Sequence, residues 1–323
     1  MAKDFLTYEE QIDHLVNDKK IACDNQSGRN ILCKNGYFNL VNGYKEPFVQ
    51  GKDSNNAHIY IGGTTIENLY SVKKFDEELR LCLLRYITKI EEEVRTIAGY
   101  EFDKYNDNGA VKWYSVDAYS PNANIRDVVK LISNAYHEVQ ALDKKAYINH
   151  YLEHYKFIPT WILTKAINFS TLINLIENSK NQVKDKICGL YCITSGGNMP
   201  DYNLLSTSLH WLRKVRNACA HNERIYDLTE KGNRTVEKYI KLLPLSYAKS
   251  NRRILDAIVY LRYYLNDDDF YEMVKQIKKL LQDLSQQISS PAFDKVRASM
   301  GIKRIEDLDI LLTVSKTINY SVL

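Results

Sequence analysis

Arg216 and His221 lie five positions apart in the stretch Leu212-Arg213-Lys214-Val215-Arg216-Asn217-Ala218-Cys219-Ala220-His221-Asn222-Glu223-Arg224. Such a pair could cleave a phosphodiester bond of RNA without a metal. That chemistry needs a group of near-neutral pKa to move a proton on the 2′-hydroxyl or the leaving oxygen, and an imidazole fits. It also needs a fixed cation to stabilise the phosphorane as negative charge builds, and a guanidinium fork fits. Asn217 supplies a polar group next to the arginine, able to position a phosphate or the helix. At about 100° per helical residue, Arg213, Asn217 and His221 share a face, while Arg216 sits about 140° from His221. Arg216 falls instead in the stripe of Leu205, Leu209, Leu212 and Cys219. A bend, the reach of arginine, or a site assembled from two subunits would reconcile the pair. A buried structural Arg216 is the alternative.

Other residues bear on different chemistry. His150-Tyr151-Leu152-Glu153-His154 has the spacing of a helical zinc hydrolase site, with two histidines one turn apart and a glutamate as base. No third ligand is evident, and Tyr151, Tyr155, Phe157 and Trp161 make the neighbourhood read as aromatic packing. Cys188 and Cys192 could share a helical face, but ordinary buried thiols need no metal. Glu91, Glu92 and Glu93 beside Arg95 are expected to form exposed salt bridges; the alternative is that one orients the histidine. The basic pairs Lys73-Lys74, Lys144-Lys145, Arg252-Arg253 and Lys278-Lys279 are read individually as solvated faces, with phosphate contacts as the alternative.

The elements that must position these groups are mostly helical. The clearest helix spans 75–99, where Leu79, Leu81, Leu83, Leu84, Ile87, Ile90, Val94 and Ile97 recur near helical spacing. Residues 1–20 read as a short helix, with Thr7 and Glu10 predicting a capping box. Residues 24–65 are rich in Asn and Gly and read as turns between short apolar pieces. Residues 100–122 read as a loop. Helices are expected at 124–139, 141–156, from Trp161 to about Asn178, at 202–225 carrying the Arg-His pair, and at 234–243, 250–265 and 268–288. Breaks are expected at 195–200 and at Pro291. The order predicts a helical domain over 76–245, an N-terminal accessory segment over 1–75 and a C-terminal helical extension over 246–323.

Composition agrees. Glycine (13) and proline (6) are scarce among 323 residues, which favours helix over a sandwich or barrel. A net charge of +4 permits an RNA partner without demanding one. No apolar run approaches the roughly 20 residues that span a bilayer, so no membrane partner is expected. The N-terminus lacks the layout of a signal peptide, and six scattered cysteines without a CxxC pair read as reduced thiols of a cytoplasmic protein.

The stretch from Leu212 to Arg224 resembles the Arg-Asn-x-x-x-His helix of the HEPN superfamily, and specifically the Abi-like (AbiD/AbiF-type) proteins of bacterial phage defence. Three further segments are similar to that family in order and spacing: Tyr37 to Phe48, with Gly43-Tyr44 and Pro47-Phe48; Ile90 to Thr96; and Pro159-Thr160-Trp161-Ile162-Leu163. The resemblance covers about 5–260. It implies a mainly α, HEPN-like helical bundle with a small N-terminal irregular or α+β element and additional C-terminal helices. It implies a metal-independent endoribonuclease with no cofactor, acting in abortive infection. The catalytic pair falls on Arg216 and His221, with Asn217 and Arg213 supporting. Because one motif is present and such nucleases pair two, it implies a homodimer. The implied partner is RNA, a small structured non-coding RNA among the candidates. A non-catalytic module binding RNA or protein is the alternative.

Overall fold

The computed structural model describes residues 5–142, 145–195, 199–231, 242–243, 251–313 and 318–322. The described residues are mainly α-helical, with a single small hairpin, consistent with a helical bundle. The chain divides into two compact units. The first holds residues 1–83, 218–256 and 271–313; the second holds 84–217, 257–270 and 314–323.

The first unit begins with α1 (Tyr8–Asp13), opened by the expected capping box between Thr7 and Glu10. The following stretch is less loop-like than its composition suggests, because α2 (Asn25–Asn35) lies within it. Asp24 caps α2 by accepting from the N–H groups of Gln26 and Ser27. Gly36 ends it at φ +70°, a left-handed conformation that glycine adopts without cost. Asn and Gly between two good caps were therefore helix residues rather than turn residues. A hairpin follows, β1 (Val49–Lys52) against β2 (His58–Tyr60), antiparallel with a bulge between Val49 and Gly51.

The long helix α3 (Ile66–Lys104) starts in this unit and runs beyond both ends of the expected 75–99 span. Leu69, Val72, Phe75, Leu79, Leu83, Ile87, Ile90, Val94, Ala98 and Phe102 are all buried along it, at steps of three and four. The unit also holds most of α11 (Asp267–Ser285), with α12 (Ser290–Met300) and α13 (Asp307–Ile310). Pro291 opens α12 rather than breaking the chain, since its missing N–H falls where no intrahelical partner exists.

The second unit contains α4 (Ile125–Gln140), α5 (Ala146–Tyr155), α6 (Thr160–Ala166), α7 (Phe169–Asn178), α8 (Asn181–Tyr191), most of α9 (Tyr202–Ala220) and α10 (Ile254–Tyr264). The single helix expected after Trp161 is two. Asn168 caps α7 by accepting from Thr171 N–H, and Glu138 of α4 accepts from both Asn168 and Thr171. Helix α8 was given no bounds from the sequence, where only a helical face for Cys188 and Cys192 was weighed. Phe169, Leu172, Ile173, Leu175 and Ile176 of α7 are buried, as is Trp113, whose indole N–H donates to Ile158 O at 2.8 Å. The helix expected at 234–243 falls almost wholly outside the described residues. Among the described residues no helix is long and apolar enough to cross a membrane.

Candidate active site

Helix α9 carries Arg213, Arg216 and Asn217, and His221 follows its last residue. It starts where Asp201 Oδ1 accepts from Leu204 N–H, and it buries Leu204, Leu205, Leu209, Leu212 and Val215. Its end is also explained locally. Asn222 takes a left-handed φ of +56°, Glu223 N–H donates to Ala218 O at 2.9 Å, and Asn222 N–H to Cys219 O at 3.2 Å. These two bonds form a Schellman cap, with His221 as the last half-helical residue. His221 is exposed there. The helix is thus five residues shorter than the expected 202–225.

Arg216 is neither buried nor free. Its Nε lies 3.0 Å from Glu91 Oε2, and its side chain keeps about a third of its surface exposed. Nη1 donates to Asn217 Oδ1 at 3.2 Å, so Arg216 and Asn217 act as neighbours in one site. Glu91 is only 5% exposed, contrary to the exposed role expected of the Glu91–Glu93 run. It pairs with Arg216 through one oxygen and with Arg95 through the other. Arg95 in turn donates to the carbonyls of Thr164 and Ile167 at the end of α6, where a cation meets the helix dipole favourably. Glu91 therefore holds the arginine of the pair. The bridge is a close ion contact rather than an aligned hydrogen bond, because Arg216 Nε and Glu91 Oε2 have no partner of good geometry.

Arg216, Glu91 and Arg95 line one wall of a solvent-open cavity of about 1230 Å³. Other walls come from the C-terminal half of α3, the loop after it, α5 and α6, and include Tyr100, Lys112, Tyr155 and Trp161. Gly99 makes the close approach of α3 and α6 possible. A Cβ there would stand 2.9 Å from Thr164 Oγ1 and 3.0 Å from Trp161 Cα. Asp103 receives hydrogen bonds from Thr160 and Trp161 at the start of α6, yet burial still pushes its carboxyl up from the ordinary value.

Immediately beyond His221 the first unit contains a second buried carboxylate. Asp76 Oδ1 accepts from the N–H groups of Ile225 (3.0 Å) and Tyr226 (2.8 Å), and Oδ2 from Tyr44 OH (3.0 Å) and from Arg80. Arg80 also donates to Glu223 O at 3.2 Å, and Arg224 donates to Gly43 O while pairing with Asp227. Burial pushes the Asp76 carboxyl up to about 6 despite these donors. The knot fixes the chain on the C-terminal side of His221.

The remaining candidates separate. Arg213 is half-buried, and its Nε has no hydrogen-bond partner among the described residues. His150 and His154 are exposed on α5, ring against ring at 4.8 Å and beside Tyr155, and no group of three or more metal-binding side chains occurs among the described residues. The zinc hydrolase reading thus gains no third ligand. Cys188 is buried while Cys192 is exposed at the left-handed end of α8, so they do not share a face.

The family profile of the Abi-like proteins matches residues 30–227, more than half of the chain. This chain is a member of the Abi-like protein family. Membership suggests a role in abortive-infection defence and is compatible with nuclease activity. No curated protein and no solved structure matches the chain. The Abi-like region ends at Asp227, just past the two N–H groups that Asp76 accepts. It therefore encloses Gly43-Tyr44, Asp76, Glu91, Pro159 to Trp161 and the Arg-His stretch. Asp76, Gly99 and Asp103 were missed from sequence. Two of the signals were present: Asp76 falls in phase with the buried stripe of α3, and Gly99 interrupts a helix interior.

Proposed function

We propose that this Abi-like protein is a metal-independent endoribonuclease of the HEPN type, acting in anti-phage abortive infection in the cytoplasm. The observation that carries the reading is Arg216, a partly exposed cation held by buried Glu91 at a cavity wall and followed at the spacing of the motif by an exposed histidine. His221 takes the proton from a ribose 2′-hydroxyl, and the 2′-oxygen forms a bond to phosphorus. The P–O5′ bond breaks, and the 5′-oxygen leaves with a proton. Arg216 stabilises the phosphorane between these steps through charge-assisted hydrogen bonds. Asn217, bonded to Arg216, keeps the guanidinium in place. Products are a 2′,3′-cyclic phosphate and a 5′-hydroxyl.

Arg216 within α9 and His221 at its C-cap, about 140° apart by helical spacing, do not converge on one phosphate by themselves. A homodimer that brings two copies of the stretch together lets each phosphate meet groups from both subunits. The test is expression of wild type and His221→Ala in bacteria, with growth and RNA ends read together. Growth arrest with cyclic phosphate ends for the wild type alone supports the reading. Arrest of both strains, with the same fragments, rejects it.

A further inference from the structure

The cavity beside Arg216 is larger than a single cation needs, and its lining is unusual. Tyr100, Tyr155 and Trp161 surround it while 60%, 57% and 50% exposed, so three large aromatic side chains face one solvent-open space. Tyr151 braces two of them, with ring centroids 5.7 Å from Trp161 and 5.5 Å from Tyr155. Cations alternate with the rings. Lys112 Nζ sits 4.1 Å from the Phe157 ring centroid, Lys104 Nζ sits 5.5 Å from that of Tyr100, and Lys165 is exposed at the same cavity.

Three acids line it, Glu91, Asp103 and the exposed Glu92, against five cations, Arg95, Lys104, Lys112, Lys165 and Arg216. Glu91 lies between two arginines, and burial raises the carboxyl of Asp103. The balance of the wall is positive. Alternating aromatic planes and basic tips match the chemistry of unstacked bases joined by phosphates. The volume of about 1230 Å³ exceeds the roughly 300–1,000 Å³ of ordinary small-molecule pockets.

We infer that this cavity is a base-stacking site for RNA, with Trp161, Tyr155 and Tyr100 as stacking surfaces and Lys104, Lys112 and Lys165 as phosphate contacts. It deepens the nuclease reading, because Arg216 at the wall then receives a phosphate whose neighbouring bases the cavity holds. The aromatic set lies on α5, α6 and the end of α3, outside the Arg-His stretch.

Tryptophan fluorescence reports on the site directly. Trp113 and Trp211 are buried, which leaves Trp161 as the solvent-facing tryptophan. His221→Ala protein is titrated with a short single-stranded oligouridylate, so binding is read without cleavage. The expected result is quenching of emission. Read by the anisotropy of a dye-labelled oligouridylate, affinity falls roughly tenfold or more in Trp161→Leu/Tyr155→Leu on that background, and stays within about threefold in Trp161→Phe, which keeps a ring. Lys165→Glu weakens binding and lowers its salt dependence. Circular dichroism verifies that each variant is folded. Unchanged affinity in the double leucine variant, binding without quenching, no binding at all, or equal affinity for an RNA duplex overturns the inference. The nuclease reading is scored separately: quenching without cleavage by the wild type removes the nuclease and keeps the site, whereas cleavage unaffected by the two leucines does the reverse.

Discussion

Among the buried carboxylates of α3, Asp76 in the first unit and Glu91 in the second serve different ends. Asp76 is sealed, bonded to two backbone N–H groups, one tyrosine and one arginine, and it fixes the chain after His221. Glu91 sits between two arginines at the edge of an open cavity, and one of these, Arg216, retains solvent access. Satisfying backbone donors makes Asp76 a structural residue whose loss is felt by the fold. Holding a partly exposed cation makes Glu91 a positioning residue whose loss is felt first by the chemistry.

Breaking the comparison at Asp76 gives the largest expected effect. Asp76→Ala leaves two buried N–H groups, a tyrosine hydroxyl and Arg80 without their acceptor, a loss of about 3–5 kcal/mol. Denaturant unfolding measures it, and an unchanged midpoint would remove the knot from the account. Glu91→Gln is expected to cost less, about 2 kcal/mol by the same measurement, because Arg216 can turn to water. Its RNA cleavage should nevertheless fall by about a hundredfold, the scale seen when a preorganised donor is misplaced. A drop in stability with full cleavage would make Glu91 purely structural.

Gly99→Ala tests the cavity wall. The added methyl meets Thr164 and the backbone of Trp161, and overpacking of that kind costs about 1–3 kcal/mol. Asn222→Ala puts an ordinary side chain into the left-handed cap after His221 and should cost about 1 kcal/mol, while Asn222→Gly should be neutral or slightly stabilising. Stability should also depend on pH through Asp76. The folded value of Asp76 is raised to about 6 from 3.8, so its contribution to stability is full below about pH 4 and is lost as pH rises through 6. Asp76→Asn should flatten stability across that window in denaturant titrations; an unaltered slope would contradict the raised value.

These contrasts also mark what the sequence could reveal. The helical class, the capping box at Thr7, α4 and the placement of Arg216 on a helix were legible, because periodicity and capping are local. The helix Asn25–Asn35 was not, since its Asn, Ser and Gly residues are turn formers unless Asp24 and Gly36 are weighed as a cap pair. The break between α6 and α7 depends on Asn168 and on Glu138, thirty positions away, and no local signal carries that. Glu91 looked like one of three solvated glutamates until its phase with Ile87, Val94 and Ala98 placed it on the buried stripe. The arginine and histidine were readable as types; the carboxylate that holds one of them required the fold.

The central claim is that Arg216 and His221 cut RNA without a metal. Purified wild type, Arg216→Ala and His221→Ala are incubated with total RNA in EDTA, and rates and fragment ends are read. The account predicts cleavage by the wild type with 2′,3′-cyclic phosphate ends and a loss of at least a hundredfold in each variant. Equal cleavage by all three proteins, or cleavage by the wild type that EDTA abolishes, would contradict it.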